Sequence, residues 1–133
     1  MSSEDFMSSH QFATAINCMD GRVQVPVIAY IKTKYKVDYV DMITEAGPVK
    51  LFSEENGSVL MDSIKRRVEV SVFKHNSRLI AIVGHYDCAG NPTGREVQIE
   101  QIGRAIQTVE AWGLPVRVLG LWVDKNWEVN ELP

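Results

Sequence analysis

Leu79-Ile80-Ala81-Ile82-Val83-Gly84-His85-Tyr86-Asp87-Cys88-Ala89-Gly90 decides the fold. Its first five residues are all apolar, and the run stops at Gly84. A run this short, apolar at odd and even positions alike, predicts a strand buried on both faces. Such strands belong to parallel sheets with helices packed on either side. Beyond the strand the residues change in kind: an imidazole and a thiol stand three positions apart, set among small residues.

The flanking sequence alternates in the same way. Residues 96–112 space Ile99, Ile102, Ile106 and Val109 at helical intervals, and Gly113 is placed to end that helix. Residues 116–123 are then nearly continuous in apolar side chains. Before the central strand, residues 58–75 place Leu60, Ile64, Val68 and Val72 at intervals of four, with Lys65, Arg66 and Arg67 opposite. Residues 39–43 and 12–16 are weaker strands. Between them, 23–36 carries Pro26 near its start and Val27, Ile28 and Ile31 on one side, which predicts a helix. The order predicts an α/β domain with a mainly parallel central sheet of about four strands flanked by helices. Residues 127–132, after an Asp124-Lys125-Asn126 turn, are expected to return as a C-terminal antiparallel edge strand.

In open α/β sheets, ligands bind in the crevice beyond the carboxyl ends of the strands. Both cysteines of the chain fall there. Cys18 follows the first strand in Asn17-Cys18-Met19-Asp20-Gly21-Arg22, and Cys88 follows the third in His85-Tyr86-Asp87-Cys88. If those strands are neighbours, Cys18 meets His85 and Cys88 across two loops. Two thiolates and an imidazole are three protein ligands of the kinds zinc prefers, and a catalytic zinc needs three with a fourth position open. The alternative is a pair of buried thiols acting as small hydrophobes. His10, in a polar stretch, and His75, at a helix end, read as surface residues. Tyr86 and Asp87 either support the ligands beside them or face solvent. Trp112, Trp122 and Trp127 are expected in the core or at an interface.

The remaining sequence sets outer limits. A chain of 133 residues, 45% hydrophobic and 23% charged, is expected to form one domain over 1–133 with a core that needs no disulfide. A net charge of −3, with no basic run of five, excludes a general attraction to nucleic acid. Residues 1–10 are polar and acidic, and no apolar run approaches membrane-spanning length. A cytoplasmic location is expected, with no membrane partner.

Cys18-x-Asp20-x-Arg22 and His85-x-x-Cys88, each at a strand end, resemble the two signature motifs of the β-class carbonic anhydrases. The similarity runs from about Phe12 to Gly90. The resemblance implies zinc-dependent, reversible hydration of carbon dioxide to bicarbonate by a zinc-bound hydroxide. Cys18, His85 and Cys88 would be the metal ligands, and Asp20 and Arg22 the catalytic dyad beside them. With the dyad paired, Asp20 is held off the zinc; with it broken, Asp20 can ligate the metal itself. The resemblance also implies a homodimer or higher homo-oligomer.

Two departures and three rivals accompany that reading. About a dozen residues precede the first strand, where the family carries a long helical arm. After the second strand the family shows an Arg-Asn-Ala-Gly-like stretch, whereas this chain has Thr44-Glu45-Ala46-Gly47. The rivals are a zinc hydrolase of a carbon dioxide analogue (carbonyl sulfide or carbon disulfide), a non-catalytic zinc-binding module, and a cysteine-dependent phosphatase or sulfurtransferase using Cys88. The last needs an arginine six residues after the cysteine, and Arg95 is seven away.

Overall fold

A computed structural model of the chain describes residues 11–54 and 58–133. Five strands form one sheet in the order β2-β1-β3-β4-β5. They are β1 (Phe12–Cys18), β2 (Tyr39–Glu45), β3 (Leu79–His85), β4 (Arg117–Val123) and β5 (Val129–Glu131). The first four are parallel, and β5 runs antiparallel to β4 at the edge. The fold class expected from the sequence is therefore the one observed.

Four α-helices connect the described strands: α1 (Gln24–Tyr35), α2 (Pro48–Leu51), α3 (Val59–Lys74) and α4 (Arg95–Glu110). Helix α3 begins at Ser58, whose hydroxyl accepts the Met61 amide at 3.1 Å. That bond satisfies one of the amides a helix start leaves unpaired. The short α2 is a turn the apolar periodicity does not announce.

All seven residues of β3 are buried, and its side chains divide between two cores. Leu79, Ala81 and Val83 pack with Val27 and Ile31 of α1; Ile80 and Ile82 pack with Ile64, Val68 and Val72 of α3 and with Ile102 and Val109 of α4. This is the two-faced burial that the unbroken apolar run requires. Two helical stripes differ from expectation. Leu60, in the first turn of α3, is 47% exposed. On α4 the buried set is Gln98, Ile102, Ala105 and Val109, which places a glutamine in the stripe where Ile99 was expected.

The sheet order fixes where a ligand can sit. From β1 the chain moves to β2 on one side and later to β3 on the other, so a crevice opens between the carboxyl ends of β1 and β3. Strands β1, β2 and β3 each run two residues further than the apolar runs predict, ending at Cys18, Glu45 and His85. Pairing carries them on: Cys18 opposes Glu45, and His85 opposes Val123.

Candidate metal centre

Cys18 and His85 are the last residues of adjacent parallel strands, and Cys88 lies in the loop after β3. All three are at most 4% exposed. Their ligand atoms lie within 4.8 Å of one another, the only such His, Cys, Asp or Glu group among the described residues. The two sulfurs are 3.8 Å apart. A disulfide needs about 2.05 Å, so both thiols are free. Two thiolates bound tetrahedrally at about 2.3 Å to one zinc would stand about 3.8 Å apart.

The imidazole of His85 gives a second test of fit. Its Nδ1 lies 2.7 Å from the Tyr86 carbonyl, which fixes the ring as the tautomer donating from Nδ1. Nε2 is then a lone-pair acceptor, and it is buried without a hydrogen-bond partner. Buried polar atoms are seldom left this way. The donor set and the spacing suit a zinc ion with sulfur, sulfur and nitrogen ligands.

Backbone and side-chain hydrogen bonds hold the set in place. Gln98, 1% exposed, accepts the His85 amide at 3.1 Å and donates to the His85 carbonyl at 2.9 Å. It thereby pairs both backbone groups of the histidine. Asn17 accepts the Cys18 amide at 2.9 Å, and Gln24 donates to the Cys18 carbonyl at 2.6 Å and to that of Asp20 at 3.0 Å. Gly47 has φ 63, and a Cβ there would come within 2.7 Å of the Gly90 backbone. The loops after β2 and β3 can therefore touch only through glycine.

The electrostatics follow from this packing. The Cys88 thiol donating to Cys18 pulls Cys18 well below the usual thiol range, helped by the backbone amides of Asp20 and Gly47. Cys88 is pushed up by the same partner and by burial. The pair thus keeps one proton, which a metal would displace. Burial works against a charged His85, but the Cys18 sulfur and the Tyr86 carbonyl outweigh it and move the ring upward.

Asp20 and Arg22 meet beside this group. The Arg22 guanidinium reaches Asp20 through Nη2–Oδ2 at 2.7 Å and Nε–Oδ1 at 3.1 Å. The Asp20 carboxylate also accepts the Arg22 amide at 2.8 Å, capping a 3-10 turn over Gly21–Val23. Hydrogen bonding from Arg22 holds its pKa down to about 2. At neutral pH Asp20 is therefore an acceptor only.

Other candidate residues separate from the site. His10 lies outside the described residues. His75 caps α3 at the surface, stacks on Phe12 at 4.3 Å, and bonds Asp41 at 2.7 Å. Phe12 begins β1 and Cys18 ends it, so His75 sits about 20 Å from the Cys18, His85 and Cys88 group. Arg95 is exposed at the start of α4, while Cys88 faces Cys18. Trp122 is buried, and Trp112 and Trp127 pack, partly buried, against the two cores as expected; Trp127 also carries Arg22 on its face. Glu45, one of the residues that depart from the family stretch, forms an ion pair with Arg67 of α3.

A family model described as "putative carbonic anhydrase" matches residues 8–133. No curated protein matches. Among solved structures, a point mutant of the β-carbonic anhydrase CafD of Aspergillus fumigatus superposes with a TM-score of 0.55 at 16% identity, covering 93% of this chain and 89% of that one. The β-carbonic anhydrase CcaA gives 0.54 at 13% identity, over 98% and 84%. Identities this low speak for the fold alone.

Proposed function

This chain belongs to the carbonic anhydrase family, with the β-class fold, and from that premise we propose that it catalyses the reversible hydration of carbon dioxide to bicarbonate. Cys18, His85 and Cys88 would hold a zinc ion. Bound zinc supplies Lewis acidity, bringing the ionisation of water from a pKa of about 15.7 toward 7. The observation that carries the reading is the unpartnered, buried Nε2 of His85 beside two thiols at tetrahedral spacing.

The chain's own residues supply the rest. Asp20, ionised and fixed by Arg22, accepts a hydrogen bond from the attacking oxygen's proton and so orients its lone pair toward carbon dioxide. Arg22 keeps that carboxylate from turning away as a competing ligand. Asn17, Gln24 and Gln98 hold the backbone of the ligand residues, so the geometry exists before substrate arrives. His75 is too distant to carry the proton to solvent.

A homodimer fits the same reading. Among the described residues, strand β2 is the parallel edge of the sheet. On the neighbouring α3, Val59, Val70 and Phe73 are 86%, 49% and 61% exposed, apolar side chains set beside Asp62, Ser63 and Arg66 that a second copy would cover.

Stopped-flow assay of the zinc-loaded protein across pH 6–9 tests the reaction. Hydration well above buffer is expected, and Asp20→Ala should lower it by about 100-fold while retaining the metal. A rate no better than buffer throughout would sink the carbon dioxide reading. Turnover of carbonyl sulfide or carbon disulfide in the same preparation would then assign the site to a carbon dioxide analogue.

A further inference from the structure

We propose that Asp87 and Trp127 are positioning residues that together clamp Arg22 against Asp20, placing the dyad under the control of the hairpin between β4 and β5. The proposal rests on the reading of Asp20 and Arg22 as the dyad. It adds two residues, from two other loops, that determine whether the dyad stays closed.

The guanidinium of Arg22 is engaged on three sides. Nε and Nη2 face Asp20, as described. Nη1 donates to Asp87 Oδ2 at 3.2 Å, and Nη2 donates to the Asp87 carbonyl at 3.0 Å. The flat face lies over Trp127, with Cζ 4.5 Å from the ring centroid. Tyr86 meets the same indole edge-on at 6.5 Å. No single contact is strong. The Asp87 side chain is 68% exposed, so its ion pair is weakened by water. Acting together, however, they leave the guanidinium one orientation.

The backbone supports this reading independently. Asp87 has φ 57 and Trp127 has φ 61. Aspartate tolerates that left-handed region, but a bulky aromatic residue seldom occupies it. Residues held there cluster at functional sites. At Asp87 the conformation turns both the carbonyl and the carboxylate toward Arg22. At Trp127 a turn built on Asp124 imposes it: the Asp124 carbonyl accepts the Trp127 amide at 2.9 Å, and its carboxylate accepts the amides of Asn126 and Glu128 at 2.9 and 3.1 Å. The hairpin places a strained residue where it meets Arg22.

Arg22 itself carries the test, through solvent exchange of its Nε–H in nitrogen-15 spectra of the zinc-loaded protein. This readout is independent of carbon dioxide turnover, so it decides the clamp even if the proposed reaction is wrong. Asp87→Asn keeps the carbonyl and tolerates the backbone conformation. Trp127→Leu removes the ring face, and Trp127→Phe restores one. Asp87→Asn and Trp127→Leu should each speed Nε–H exchange about fivefold, with the Ile82 amide unchanged and with Trp127→Phe close to the parent. Where hydration is measurable, kcat/KM should fall in the same order. Unchanged Nε–H exchange in both variants would overturn the proposal. So would equal acceleration at Ile82, because the two residues would then act on stability alone.

Discussion

Gln98 is the side chain on which His85 most depends. It pairs the histidine's amide and carbonyl, neither of which has another described use at the strand's end. Gln98→Ala would strand two buried backbone groups, at about 1–3 kcal/mol each. We expect a loss of about 3 kcal/mol in urea unfolding and a 10- to 100-fold weaker affinity for zinc in competition with a chromophoric chelator. Full retention of both would show that the strand end holds His85 unaided. The cluster of Cys18, His85 and Cys88 was legible in the sequence because few thiols and imidazoles exist in this chain and these follow strands. Gln98 was not. Its position on the stripe with Ile102, Ala105 and Val109 was the available signal, and it becomes meaningful only once α4 is seen to lie on β3. Trp127 was missed for a related reason: its partner, Arg22, is more than a hundred residues away in sequence.

The elements were read well where both faces are apolar and less well where a segment is short. β3 and β4 declare themselves by composition and β1 and β2 more weakly, whereas α2 has only four residues and no period to show. The edge strand β5 is held by side chains as much as by its ladder. Glu131 accepts hydrogen bonds from Tyr35 at 2.6 Å and Tyr30 at 3.0 Å, with Lys34 at 3.2 Å, all from α1. Burial pushes its pKa up, but these three partners outweigh burial and bring it below the usual glutamate value. A carboxylate lowered in the folded state contributes stability above its unfolded pKa, about 4.3, and loses it as pH falls through the folded value. Glu131→Gln should therefore destabilise the protein by about 1–2 kcal/mol at pH 7, and the difference should shrink as pH falls below about 4. A difference that stays constant from pH 7 to pH 3 would mean that packing, not charge, holds β5. Because β5 follows the turn that bears Trp127, loosening it should also loosen Arg22.

At the scale of the whole molecule, one topological fact assembles the site. The sheet order places β1 beside β3, although α1, β2, α2 and α3 come between them in the chain. The alternation of apolar runs predicts the layers, but not which strands are neighbours; that depends on how the helices divide between the two faces. A metal bound at this junction ties the ends of two central strands, so zinc should stabilise the whole fold. With free zinc a hundredfold above its dissociation constant, the gain is about 2.7 kcal/mol, or a rise in Tm on the order of 10 °C, reversed by a chelator. No shift on chelation of zinc-loaded protein would place the metal elsewhere than the strand junction. The identity of the ligands is the central claim, and X-ray absorption at the zinc edge of the loaded protein tests it most directly. Two sulfur atoms at about 2.3 Å, one imidazole nitrogen near 2.0–2.1 Å and one lighter donor are predicted, with one sulfur lost in Cys88→Ser. A shell of nitrogen and oxygen alone, or one that Cys88→Ser leaves unchanged, would contradict it.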